Sequence, residues 1–181
     1  MVREKIKKMV FAGIFMALGL VLPFFTGQIP EIGQRLLPMH IPVLLCGFVC
    51  GWPYGLVVGF ITPILRSLTF GTPVIYPMAV AMAFELAAYG ALTGVFYKVF
   101  PKKPSFIYAA LALAMIGGRI VLGGVQMILL GIGGNVYTWS AFVTGAFVNA
   151  IPGIILQLIL IPVLLIALKD AKLFGKNDQT S

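Results

Sequence analysis

Acidic residues are scarce in this chain: five aspartates and glutamates stand against 13 lysines and arginines in 181 residues. Histidine occurs once and cysteine twice, and the sequence shows no paired carboxylates. Cys46 and Cys50 have no companion Cys or His residues of the kind that a zinc site requires, and we interpret them as buried free thiols. These absences disfavour an enzyme or a metalloprotein, and we predict neither a cofactor nor a bound metal.

A glycine-rich loop ending in Gly-Lys-Ser or Gly-Lys-Thr is also missing from the sequence. The chain therefore cannot bind and hydrolyse ATP by that route, and any energy that it uses must come from elsewhere. No run of basic residues is interleaved with exposed aromatics, which disfavours binding to nucleic acid.

Apolar residues are abundant: 60% of the residues are hydrophobic, 10% are charged and the mean hydropathy is +1.05. This composition excludes an ordinary soluble domain and predicts an integral membrane protein. A helix needs about 20 residues to cross the hydrocarbon layer, so the chain has room for about six crossings and for no extramembrane domain. We predict an all-α fold, with a single membrane domain over residues 1–181.

The apolar segments predict six transmembrane helices. They run over residues 9–25, 39–50, 56–70, 76–97, 106–130 and 141–168. Gly51, Pro53 and Gly55 form a tight break between the second and third segments, both of which are short. A single bent hairpin is the alternative interpretation of these two segments.

Basic residues mark one side of the predicted bundle. They form three clusters: Arg3, Lys5, Lys7 and Lys8; Lys98, Lys102 and Lys103; and Lys169, Lys172 and Lys176. With six crossings all three clusters fall on one face, and positive charge is typical of the cytoplasmic face. We therefore predict a multi-pass protein of the plasma membrane with both termini in the cytoplasm. Orientation and contact with anionic lipid explain the net charge of +8.

Three charged residues, Arg66, Arg119 and Glu85, lie inside the predicted membrane segments. A charge at the bilayer centre costs roughly 2.5 to 3.5 kcal/mol on insertion scales, so such residues usually face a partner, a cavity or a ligand. At 1.5 Å per helical residue, Arg119, Glu85 and Asn149 all lie about 12 to 17 Å below the outer surface. Gln126 projects from the same helix face as Arg119, nearer the outside.

The predicted polar residues form a column from the outer surface to the midplane, with Arg66 and His40 near the outer ends of their helices. This column predicts a pocket that opens outward. The alternative is structural: Glu85 and Arg119 neutralise each other, and the amides only tie helices together. We favour a ligand because one glutamate cannot pair both arginines, and an unpaired guanidinium binds a carboxylate or another planar acceptor.

The first helix offers a surface for a partner. Gly13 and Ala17 have the small-xxx-small spacing that lets two helices approach closely. This helix and the segments 37–47, 59–67 and 84–90 resemble the substrate-binding S component of energy-coupling factor (ECF) vitamin transporters. The resemblance covers nearly the whole chain.

This resemblance implies a division of labour. An S component captures a vitamin from outside, and a module of one membrane coupling subunit and two ATPases drives its release inside a bacterial-type cell. The resemblance places contact with the coupling subunit on Gly13 and Ala17, with glycine at position 13 in place of the more usual alanine. It places the ligand among outer loops and outer helix ends, which matches Glu85, Arg119, Gln126, Asn135 and Asn149 by position.

The segments 37–47 and 84–90 are most similar to the pantothenate-type subgroup, so pantothenate is the predicted vitamin. Pyridoxine, cobalamin, lipoate and flavins are the ligands of other subgroups with similar segments. Two further readings stay open: a self-sufficient secondary carrier, and a purely structural membrane subunit without a ligand.

Overall fold

The computed structural model describes residues 2–26, 36–101, 103–132 and 138–170, and within these ranges the chain is helical with no strand. Six helices carry the fold. They are α1 (Val2–Val21), α2 (His40–Cys50), α3 (Trp52–Phe70), α4 (Val80–Val99), α5 (Pro104–Ile132) and α6 (Ile151–Asp170). Shorter pieces adjoin them: a 3-10 turn at Leu22–Thr26, a kink at Ile75–Ala79 in which Tyr76 is extended, a short helix at Trp139–Val143 and a π-helical turn at Thr144–Val148.

Five of these helices, all except α2, are long and apolar enough to cross a membrane. Helix α2 has 11 residues and a length of about 16 Å, roughly half of the hydrocarbon thickness. Each of its residues is buried, so the other helices enclose it on all sides. The all-helical, membrane-type fold predicted from the sequence is confirmed, while six full crossings remain a prediction.

Helices α2 and α3 fold back on each other at a single residue. Gly51 joins them with a φ angle of 93°, a left-handed conformation that glycine adopts without steric cost. Its N–H donates to the Gly47 carbonyl at 3.1 Å, and the Gly55 N–H donates to the Gly51 carbonyl at 3.1 Å. A Cβ at Gly55 would lie 2.9 Å from the Gly47 Cα. The break in the sequence is therefore a one-residue turn between antiparallel helices.

Glycines also bring the backbones of α3 and α4 into contact. A Cβ at Gly90 would lie 2.2 Å from the Gly55 carbonyl oxygen, and one at Gly59 would lie 2.3 Å from the Leu86 carbonyl oxygen. Gly94 meets the backbone of Trp52 in the same way. Small residues spaced by four allow this close approach between membrane helices. We call this contact the glycine seam, and it fixes the position of Glu85, one residue before Leu86.

Aromatic contacts identify one end of the bundle. The Lys169 Nζ atom lies 5.4 Å from the centre of the Tyr97 ring, and the Phe48 and Tyr97 ring centres are 5.3 Å apart. The carboxyl-terminal ends of α2, α4 and α6 therefore meet at this end, which we call the basic end. Helix α1 meets Thr62 of α3 through Gly19, near its own carboxyl terminus, so its basic first turns also point to the basic end.

Candidate functional site

Three charged or ionisable side chains from three helices meet in the bundle interior. The Arg119 Nη1 atom of α5 lies 2.9 Å from the Glu85 Oε1 atom of α4. The His40 Nε2 atom, at the start of α2, lies 3.5 Å from the same oxygen. His40 and Glu85 are 1% exposed and Arg119 is 3% exposed. We call these three residues the polar triad.

Tyr89 supports the polar triad and was not predicted as a site residue. Its ring contacts His40 edge-on at 5.3 Å between ring centres, and the residue adjoins both Glu85 and Arg119. Gly118 makes room for it, because a Cβ there would lie only 3.0 Å from the ring. The sequence does hold a signal, since Tyr89 is four residues after Glu85 and so lies on the same face of α4.

The ion pair between Glu85 and Arg119 uses only part of the guanidinium. The Nε and Nη2 atoms of Arg119 are buried, and neither has a hydrogen-bond partner among the residues that the structure describes. The Nδ1 atom of His40 is in the same situation. Buried polar atoms are normally paired, and an unpaired one costs about 1 to 3 kcal/mol. The polar triad therefore has both an ion pair and hydrogen-bonding capacity that the described protein groups leave unused.

The polar triad lies near the middle of the bundle. Arg119 is 13 residues from the end of α5 at Ile132 and 15 residues from its start at Pro104, or about 20 Å from either end. Helix α2 starts at His40, so its positive amino-terminal end adjoins the Glu85 carboxylate. Helix α2 occupies only the half of the bundle toward the basic end, and it begins at His40. The polar triad therefore lies at the amino-terminal end of this central helix.

Arg66 lies in a different cluster. Its Nη1 atom donates to the Leu20 carbonyl oxygen of α1. Its guanidinium carbon lies 4.9 Å from the centre of the Phe24 ring and 5.4 Å from that of Phe70, and the two rings contact each other edge-on at 4.9 Å. Arg66 thus ties α3 to the carboxyl end of α1 through a carbonyl and two aromatic faces.

The end of α1 explains why the Leu20 carbonyl is available to accept a hydrogen bond from Arg66. The helix tightens into a 3-10 turn over Leu22–Thr26, directly after α1 ends. In a 3-10 register the Leu20 carbonyl would accept from residue 23, which is Pro23 and has no N–H. The carbonyl lies where the hydrogen-bonding register changes, and the Arg66 guanidinium supplies a donor there.

The structure brings together three of the seven residues predicted to bind substrate. Gln126 of α5 is half-buried, two turns from Arg119 and farther from the basic end. Asn149 is exposed, and its backbone N–H donates to the Thr144 carbonyl at 2.9 Å. Asn135 lies outside the described residues. Their predicted roles in substrate binding remain predictions.

The surface predicted to bind a partner is open. Gly13 and Ala17 are exposed on α1, and a Cβ at Gly13 would have no atom within 4 Å. Val10, Ile14 and Leu18 extend the same exposed apolar face.

In the described parts of the chain, no group of three or more His, Cys, Asp or Glu side chains is placed so that it could hold a metal ion. Cys46 and Cys50 are buried free thiols, as interpreted from the sequence.

Comparison with known protein families assigns the chain to one of them. The model of the family described as "ECF transporter, substrate-specific component" matches residues 7–165, which include all six helices except the first residues of α1 and the last of α6. No curated protein and no solved structure matched the chain in the corresponding comparisons. The apolar helical architecture and this match agree, and the chain belongs to the family of substrate-specific components of ECF transporters, which are membrane transport subunits.

Proposed function

We propose that this chain captures a small vitamin from outside the cell and holds it at the polar triad for uptake by a partner ECF module. The observation that carries the proposal is the Arg119 guanidinium, which keeps two buried nitrogens without a hydrogen-bond partner in the described residues. A ligand that supplies acceptors would recover the cost of those unpaired donors, whereas a purely structural ion pair would not.

Pantothenate is the first ligand to test. It carries a carboxylate, hydroxyl groups and an amide, so it can accept hydrogen bonds from Arg119 and donate to Glu85. Arginine is the side chain best suited to binding a planar carboxylate. The similarity of segments 37–47 and 84–90 to the pantothenate-type subgroup supports the same ligand.

Pyridoxine is the second candidate, favoured by the charge balance of the polar triad. Arg119 and Glu85 are 2.9 Å apart and formally neutralise each other, while Arg66 belongs to another cluster. A site without net formal charge suits a ligand without net charge. Pyridoxine offers hydroxyl groups and a ring nitrogen, and no carboxylate that would need a second cation.

We also infer the arrangement in the membrane and the partners. Both termini face the cytoplasm of a bacterial-type cell, because positive charge at the basic end favours that side of the plasma membrane. The membrane coupling subunit docks on the exposed face of α1, where Gly13 and Ala17 allow a second helix to approach closely. ATP hydrolysis takes place in the two ATPase subunits of the module.

Native mass spectrometry of the detergent-purified protein tests the proposal directly. We expect a co-purified small molecule with the mass of pantothenate or pyridoxine. Equilibrium binding with pantothenate, pyridoxine, cobalamin, lipoate and riboflavin then identifies the preferred ligand. A protein that retains none of the five would contradict vitamin capture and support the structural-subunit reading.

Reconstitution into liposomes separates the proposal from a secondary carrier. We expect the isolated chain to bind its vitamin without transporting it, and uptake to require the ECF module and ATP. Gradient-driven uptake by this chain alone would identify a carrier instead.

A further inference from the structure

The described part of α6 carries one fully buried polar side chain, that of Gln157, on an otherwise apolar face. Gln157 is 0% exposed and lies on the same face as Gly153, Ile161 and Leu165, to which the spacing is four or eight residues. Its Oε1 and Nε2 atoms are both buried, and neither has a hydrogen-bond partner in the described residues. Burying an unpaired amide costs free energy, so it is a poor device for stabilising the bundle.

The neighbours of α6 place Gln157 on the side of the polar triad. Helix α6 packs against α2 and α5. These two helices carry His40 and Arg119, which themselves have unpaired buried nitrogens. The buried face of α6 is therefore turned toward the helices that supply two of the three triad residues.

The depth of Gln157 can be measured from the basic end. The contact between Lys169 and Tyr97 sets α6 and α4 level with each other there. Gln157 is twelve residues from Lys169, and Glu85 is twelve residues from Tyr97, in the same direction along the bundle. At 1.5 Å per residue both lie about 18 Å from that contact. The Gln157 amide is thus at a depth similar to that of the polar triad.

We propose that Gln157 is a fourth ligand-binding residue at this level, and that it recognises a ligand group that both donates and accepts hydrogen bonds, such as a hydroxyl or an amide. Arginine can only donate and a carboxylate can only accept, whereas the glutamine amide does both. The inference rests on the proposed function and adds a specificity determinant to it.

This role predicts opposite effects of one substitution on stability and on binding. Gln157→Leu removes the unpaired amide and keeps a similar apolar volume. In the ligand-free protein we expect an unchanged or higher melting temperature, because an unsatisfied buried group has been removed. We expect the affinity for the vitamin to fall about tenfold or more, since the hydrogen bonds of the amide to the ligand are lost. A residue that only tied helices together would show the reverse pattern.

Ile161→Val, one turn along the same face, is the matched control. It removes one buried methylene-sized group, so we expect a melting temperature lower by about 2 to 4 °C and an unchanged affinity. Thermal unfolding in detergent without ligand and equilibrium binding of radiolabelled pantothenate and pyridoxine measure both quantities for wild type and the two variants.

The outcomes separate this inference from the proposed function. If wild type binds either vitamin and Gln157→Leu binds it equally well, or if Gln157→Leu lowers the ligand-free melting temperature as Ile161→Val does, Gln157 has no ligand role and the proposed function stands. If wild type binds neither vitamin nor any other of the five named above, the proposed function fails, and the ligand role of Gln157 fails with it.

Discussion

The two buried arginines of this protein occupy opposite kinds of environment. Arg66 donates to a backbone carbonyl and lies beside two phenylalanine rings that contact each other, so protein groups surround its charge. Arg119 has a carboxylate on one nitrogen and no partner in the described residues on the other two. Both are at most 3% exposed. Burial of a charged residue in a membrane segment is therefore not enough to identify a binding site, and the unpaired atoms are the better guide.

Removal of the Arg119 side chain should have the largest effect. Arg119→Ala leaves Glu85 buried without its cation, so we expect a loss of about 3 to 5 kcal/mol in the free energy of unfolding and no detectable vitamin binding. Chemical denaturation and equilibrium binding measure the two effects. Wild-type affinity in the folded variant would assign Arg119 a purely structural role.

Neutralising both partners of the ion pair should separate stability from binding. In Glu85→Gln combined with Arg119→Met, no buried charge is left unpaired, so we expect stability within about 2 kcal/mol of wild type. Vitamin binding should still be absent, because the guanidinium is gone. Recovery of binding together with stability would show that the pair only supports the fold.

Arg66→Met should give a smaller loss, and one of stability alone. It removes a charge-assisted hydrogen bond and two cation–π contacts, so we expect a loss of about 2 kcal/mol in the free energy of unfolding. The affinity of the folded protein for its vitamin should change less than twofold. A tenfold loss of affinity at unchanged stability would place Arg66 with Arg119, as the sequence alone suggested.

The smallest expected effect tests why Arg66 is needed. Pro23→Ala restores an N–H that can reach the Leu20 carbonyl, so Arg66→Met should cost about 1 kcal/mol less in that background than in wild type. A double-mutant cycle of unfolding free energies measures this coupling. Additive losses would show that Arg66 acts through the rings of Phe24 and Phe70 and not through the carbonyl.

Hydropathy predicts most of this fold because an apolar run longer than the hydrocarbon layer has few alternatives to a helix. The predicted segment 106–130 lies within α5, and the predicted segment 76–97 overlaps α4, which begins four residues later at Val80. Counting helical residues from the outer ends of the segments also predicted that Glu85 and Arg119 lie at the same depth in the membrane. The two side chains form an ion pair. These inferences need only the helical rise and the cost of a buried charge.

Features that depend on local breaks in the backbone could not be predicted from hydropathy and the helical rise. The sixth segment was predicted over 141–168, which places Gln157 about 24 Å from its start and in the inner half. Helix α6 instead begins at Ile151, six residues before Gln157, so this residue lies only about 9 Å from the start of its helix. Likewise, counting charges in the sequence left Arg66 unpaired, because hydropathy does not show that the Leu20 carbonyl of another helix accepts its hydrogen bond.

The glycine seam has a mechanical consequence. Backbones that touch directly have no side chains between them to repack, so α2, α3 and α4 form a stiff frame near the basic end. Changes of shape that accompany loading and unloading should therefore be concentrated beyond His40, in the half of the bundle where this frame ends. A bundle built in this way should flex at one end and keep a rigid base at the other.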